Sequence, residues 1–252
     1  MKRLFGIAGL LLGFVVVFGV GWAWPILVRG PLVVGQDAIT DAASTQVAVT
    51  VEDAGGRTIV ARPPVGVVDR NLLVIVYPGA LVRPQAYEWL ARALASDGYF
   101  TVIPEFPFDL AVTDPSRADA LIERYGDARR VVLAGHSLGG AMAAQYAAGH
   151  AADLAGLMLF AAYPGDGADL SAGGLPVLSL LGEHDGVVNP DALAASWTRL
   201  PSGTQRVAIT GGVHAFFGRY GPQAGDGIPT VPREAAEAQI TSAVEDFLAA
   251  LP

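Results

Sequence analysis

Three side chains in this sequence have the types and settings that nucleophilic catalysis needs: Ser137 in "VLAGHSLGGA", Asp185 in "GEHDGVV" and His214 in "GGVHAFF". A serine hydroxyl is a weak nucleophile at neutral pH unless a base takes its proton, and the base needs a third group to orient it. Gly135, Ser137 and Gly139 satisfy the spacing G-x-S-x-G, which is only suggestive in a chain with 31 glycines. The setting adds weight. The apolar run "RVVLAG" ends, the chain turns on residues without bulky side chains, and a helix of small residues begins at once. Such a turn forces its serine into strained backbone geometry and lifts the hydroxyl above the carboxyl edge of a sheet, with a helix N-terminus behind it. The competing reading of Ser137, a plain helix N-cap, does not need the two glycines.

Asp185 follows the apolar run "LPVLSLLG" and His214 follows "QRVAITGG", so Ser, Asp and His occur in that order, each at the end of a different strand. Glu183 is the nearest rival for the acid. Asp185 as a loop carboxylate and His214 as a structural loop histidine are the plainer alternatives. Of the other histidines, His136 abuts the nucleophile and should point into packing, His150 ends a helix, and His184 lies in the acid loop. A metal site from His184, Asp185 and His214 lacks any short ligand spacing. The developing oxyanion needs two backbone donors. Leu138, next after the serine, supplies one, and Ala80 in "YPGALVRP" is expected to supply the other, with Gly79 either allowing close backbone approach or serving as a turn glycine. This chemistry calls for no metal or cofactor. Phe106, Phe108, Phe216 and Phe217 follow strand ends and are candidates for an acyl pocket or for the core.

The elements that must position these residues are legible as alternating apolar runs and helical stripes. "TQVAVTVEDAGGRTIVARPP" alternates apolar and polar residues about Gly55-Gly56, so a hairpin is expected with 46–51 pairing 57–61. "NLLVIVYPG", "YFTVIPEF", "RRVVLAGHS", "LAGLMLFAAYP", "LPVLSLLGEHD" and "QRVAITGGVH" read as buried strands. Between them, Tyr87, Leu90, Ala91 and Leu94 recur at helical spacing, as do Ala118, Leu121, Ile122 and Tyr125 in a helix expected to start at Asp114-Pro115. Asn189-Pro190 should cap a helix carrying Leu193, Trp197 and Leu200. Ala236, Ile240, Val244, Phe247 and Leu251 mark a closing helix. Strands flanked by helices imply an α/β fold with a mainly parallel sheet covered on both faces. The segment 163–175 is too short for a helical lid domain, so an open site for a small or medium acyl group is expected rather than interfacial activation.

The chain has 252 residues, a net charge of −8 and no cysteine. Cysteine nucleophiles, thiolate metal sites and disulfides are therefore excluded, and without a basic cluster there is no electrostatic footprint for nucleic acid. Lys2 and Arg3 precede an uncharged stretch over residues 4–24 that ends in Trp22 and Trp24. At about 1.5 Å per residue it matches a hydrocarbon core of about 30 Å, and the positive-inside rule leaves the rest of the chain on the outer side. The expected organisation is a transmembrane anchor over 1–28, a linker over 29–45 and a catalytic domain over 46–252. A secretory signal cut near Ala23 is the alternative.

With these residues in view, the stretch from about Leu72 to Leu248 resembles the α/β-hydrolase superfamily. "YPGALVRPQAYEWLARALASDGYFTVIPEFPFDLAV" and "GGVHAFFGRYGPQAGDG" look like its fold-5, dienelactone-hydrolase-like subgroup. Dienelactone hydrolases use a cysteine that this chain lacks, and the superfamily's dehalogenases and epoxide hydrolases place an aspartate where Ser137 stands. The resemblance implies a serine hydrolase, with a carboxylesterase acting on a small-molecule ester as the leading expectation. An acyltransferase or thioesterase using the same three residues, or a non-catalytic binding domain on the same fold, are the alternatives.

Overall fold

A computed structural model describes residues 46–252. The expected anchor and linker, 1–45, lie outside the described residues. Among those described, no helix is long and apolar enough to cross a membrane.

The strands are β1 (Val49–Asp53), β2 (Arg57–Ala61), β3 (Leu72–Tyr77), β4 (Phe100–Pro104), β5 (Arg130–His136), β6 (Gly156–Phe160), β7 (Val177–Gly182) and β8 (Gln205–Ile209). They form one eight-stranded sheet in the order β1-β2-β4-β3-β5-β6-β7-β8. β1 and β2, and β2 and β4, pair antiparallel, and all pairs from β4 to β8 are parallel. The chain thus opens with a hairpin and continues as parallel crossovers, the α/β arrangement expected.

Period-two alternation along a strand divides the core between the two faces. On β3, Leu72, Val74 and Val76 face the side covered by α1 (Glu88–Ser96) and α5 (Arg233–Ala250), where Leu90, Leu94, Ile240, Val244 and Phe247 meet them. Leu73, Ile75 and Tyr77 face α2 (Arg117–Tyr125) and α3 (Leu138–His150), packing with Leu121, Ala143, Ala144 and Ala147. Burial on both faces is why these strands read as continuous apolar runs. α4 (Pro190–Ser196) is capped as expected, Asn189 Oδ1 accepting from the Ala192 amide at 2.9 Å.

Two boundaries differ from expectation. The first strand lies nearer the turn, at Val49–Asp53 rather than 46–51, because Asp53 Oδ1 accepts the Gly56 amide at 2.9 Å and closes a tighter loop. The helix expected to start at Asp114-Pro115 starts at Arg117 instead. The Tyr77 hydroxyl, at the end of β3, donates to the Pro115 carbonyl at 3.2 Å and accepts from the Ala118 amide at 2.7 Å. A side chain from the sheet therefore does the work of a cap.

Candidate active site

Ser137 sits between β5 and α3 with φ 52° and ψ −122°. Left-handed φ in a non-glycine residue costs on the order of 1–3 kcal/mol, so the surrounding packing must enforce it. One source of that enforcement is Gly139, where a Cβ would lie 2.2 Å from the Pro78 carbonyl oxygen. The first turn of α3 is thus pressed against the end of β3, and the chain must turn sharply to enter it. Ser137 occupies the N-cap position, yet its side chain makes no capping hydrogen bond. The N-cap reading therefore has no hydrogen bond behind it.

Asp185 and His214 meet in the interior. His214 Nδ1 lies 2.9 Å from Asp185 Oδ2, with side chains 1% and 2% exposed respectively. Asp185 Oδ1 accepts the amides of Val187 and Val188, each at 2.9 Å, so the carboxylate is held by its own turn and its second oxygen is aimed at the imidazole. The rival Glu183 is directed elsewhere, its Oε2 accepting the Gly211 amide at 2.8 Å. His214 Nε2 is buried without a hydrogen-bond partner among the described residues, and the His214 residue lines the same cavity as Ser137. Among the described residues no group of His, Cys, Asp and Glu is arranged to hold a metal ion.

The loop after β3 is selective in its amides. Those of Gly79, Leu81 and Val82 donate to the Tyr87 hydroxyl, the Asp109 carbonyl and the Gly79 carbonyl, at 2.9, 2.8 and 3.2 Å. The Ala80 amide, between them, has no acceptor among the described residues. On the other side the helical ladder of α3 begins with Ala141 donating to the Ser137 carbonyl at 3.1 Å, which leaves the Leu138 amide in the unpaired first turn.

The cavity beside Ser137 has a volume of about 330 Å³. Leu138, Ala141, Ala161, Ala162, Val187 and Val188 form its apolar wall, with Tyr163 and Asn189 as polar members. The four phenylalanines proposed for it do not line it. Phe106 packs edge-on against Tyr77 with centroids 4.9 Å apart, Phe217 stacks near His136, Phe216 lies under the Arg233 guanidinium, and Phe108 is exposed. They follow strand ends, but the turns after those strands carry them back into the core or out to solvent.

Sequence reasoning missed two residues that hold the His214 segment. Asp226 accepts from the amides of His214 at 3.1 Å, Ala215 at 2.8 Å and Gly227 at 2.8 Å, and from Gly186 at 3.2 Å, so one carboxylate joins the acid loop to the base loop. Arg233 is buried and donates to the carbonyls of Ala215, Gly218 and Tyr220. The one available signal for Asp226 is a lone acid between glycines in "AGDG"; Arg233, at the first position of an exposed-looking helix, has none.

A family model described as the alpha/beta hydrolase family matches residues 73–238, and the chain belongs to that family. The solved structures it resembles include an α/β serine hydrolase without lid from Xanthomonas campestris, at 20% identity and TM-score 0.58, covering 82% of this chain and 98% of that one. A predicted CIB-like hydrolase from Thermoplasma acidophilum gives 20% identity and TM-score 0.58 over 80% and 98% of the two chains. An α/β serine hydrolase homologue from Coxiella burnetii gives 20% and 0.57 over 79% and 96%. No curated protein matches.

Proposed function

We propose that this protein is a serine hydrolase and, within that class, a carboxylesterase for small to medium acyl groups. Ser137 Oγ attacks the ester carbonyl while His214 Nε2 takes its proton. Asp185 holds the imidazole with Nδ1 protonated, and the amides of Ala80 and Leu138 receive the oxyanion. His214 then returns the proton to the leaving alcohol, and water, activated by the same nitrogen, cleaves the acyl-enzyme. The observation that carries this reading is the coincidence of a Ser137 at positive φ with a buried Asp185–His214 pair, Ser137 and His214 lining the same cavity. The short segment between β6 and β7 leaves the cavity without a helical cover, which suits a soluble ester. The Xanthomonas relative, named as lacking a lid, is consistent with that.

The test is intact mass of the full-length chain after exposure to a fluorophosphonate, beside Ser137→Ala. A single adduct on the first and none on the second, with p-nitrophenyl acetate hydrolysis lost by at least about a thousandfold in the variant, is the expected outcome. Absence of an adduct on folded wild-type protein would remove the mechanism. The anchor over 1–28 and an extracytoplasmic catalytic domain remain part of the proposal.

A further inference from the structure

His136 precedes Ser137, and its side chain lies among the three parts that the proposed chemistry must hold together. It is fully buried, with its ring 4.6 Å from the His214 ring by centroids and stacked on Phe217 at 5.8 Å. Its Nδ1 is 2.8 Å from the Tyr87 hydroxyl, which also accepts the Gly79 amide at 2.9 Å. There is no spare room at that junction: a Cβ at Gly79 would lie 2.8 Å from His136 Nδ1 and 3.2 Å from the Tyr87 hydroxyl oxygen.

These contacts favour one arrangement of the protons. Gly79 can only donate, so the Tyr87 oxygen is an acceptor there and its own proton has one recipient among the described residues, His136 Nδ1. On that assignment the His136 ring is neutral with its hydrogen on Nε2, a buried atom that has no hydrogen-bond partner among the described residues. Burial first, and the nearby His214 second, hold its pKa well below the ordinary 6.5, while burial raises the Tyr87 phenol above its usual value. Both members of the pair are therefore kept uncharged.

We propose that Tyr87 and His136 are positioning residues for the reaction, a neutral hydrogen-bonded bridge that aims the Ala80 amide and seats the His214 ring relative to Ser137. The Gly79 amide is tied to Tyr87, while the next amide, Ala80, has no acceptor among the described residues. His136 is joined covalently to Ser137 and its ring packs at a tilt against the His214 ring, so the same side chain bears on both the serine and the base. The inference rests on the serine-hydrolase reading above, and its test is arranged so that the two can fail separately.

The chain has four histidines, so ¹⁵N-histidine labelling of the full-length protein, with His150→Gln and His184→Gln for assignment, resolves the His136 ring directly. The expected result is the Nε2–H tautomer at neutral pH, persisting well below pH 6.5. An Nδ1–H tautomer or a charged ring would overturn the bridge, whether or not the protein hydrolyses esters. In kinetics with p-nitrophenyl acetate, Tyr87→Phe is expected to lower kcat by about 10- to 100-fold with KM within about twofold, since the oxyanion donor acts in the transition state. Fluorophosphonate labelling should slow in parallel. His136→Asn, which keeps an acceptor where Nδ1 stands, should retain several-fold more activity than His136→Leu. A kcat for Tyr87→Phe within twofold of wild type would overturn the positioning role. Failure of wild-type protein to label at Ser137 would instead overturn the hydrolase reading and leave the tautomer as the measure of the bridge.

Discussion

Asp226 gathers amides from both catalytic loops, yet it touches none of the atoms proposed to react. Removing a charged acceptor from amides that water cannot fully reach costs about 1–3 kcal/mol. Asp226→Ala is therefore expected to destabilise the fold by about that amount in a denaturant titration, and to lower kcat/KM at least about tenfold at temperatures where the variant is still folded. Equal stability and equal kcat/KM would show that the loops hold their places without it. The placement of Ser137, Asp185 and His214 at strand ends, with Asp185 against His214, was legible because the proposed chemistry demands particular residue types there. Asp226 was not, since a carboxylate that organises a loop has no spacing rule, and its partners are backbone amides that every residue possesses.

The helices on one face of the sheet meet at a pair of acids. Glu245, on α5, is raised to about 7 by burial first, and then by a hydrogen bond to Asp97, just past the end of α1, and by that group's charge. A carboxyl whose folded value is raised above its ordinary 4.5 contributes stability that is fully present below that value and lost as pH rises through about 7. The melting temperature of the wild type should fall across that window, and Glu245→Gln should flatten the fall. An unchanged slope would show that the pair does not share a proton. Element positions were readable in the sequence because buried parallel strands are apolar throughout and helices carry stripes, as at Leu90 and Leu94. Boundaries were less so: the start of α2 is set by the Tyr77 hydroxyl, a contact between residues far apart in the chain. The lining of the pocket was not legible for a related reason, since the side chains that form it are small, and Ala141 and Ala162 give no signal in a sequence rich in alanine.

For the whole molecule, the proposed anchor would set where the proposed chemistry happens. Full-length protein should stay with membranes through alkaline carbonate extraction, and a reporter fused after residue 252 should be active only on the outer side. Release by carbonate, or a reporter active in the cytoplasm, would remove the anchor or its orientation from the proposal. The fold itself was legible at this scale, because the order of strand and helix patterns is enough to imply a parallel sheet with an antiparallel opening.

The close approach of α3 to β3 separates what can vary in this protein from what cannot. Gly139 admits no side chain because the Pro78 carbonyl stands in the way, so a mutation there must move the backbone that carries Ser137. Ala141, Val187 and Val188 lie on the wall of the same cavity, and they hold Ser137 and Asp185 through backbone amides alone, so their side chains are not part of that support. On the proposed reading, descent or laboratory selection can therefore reshape which acyl group enters by trading side chains along that wall, while the backbone around Ser137 stays fixed.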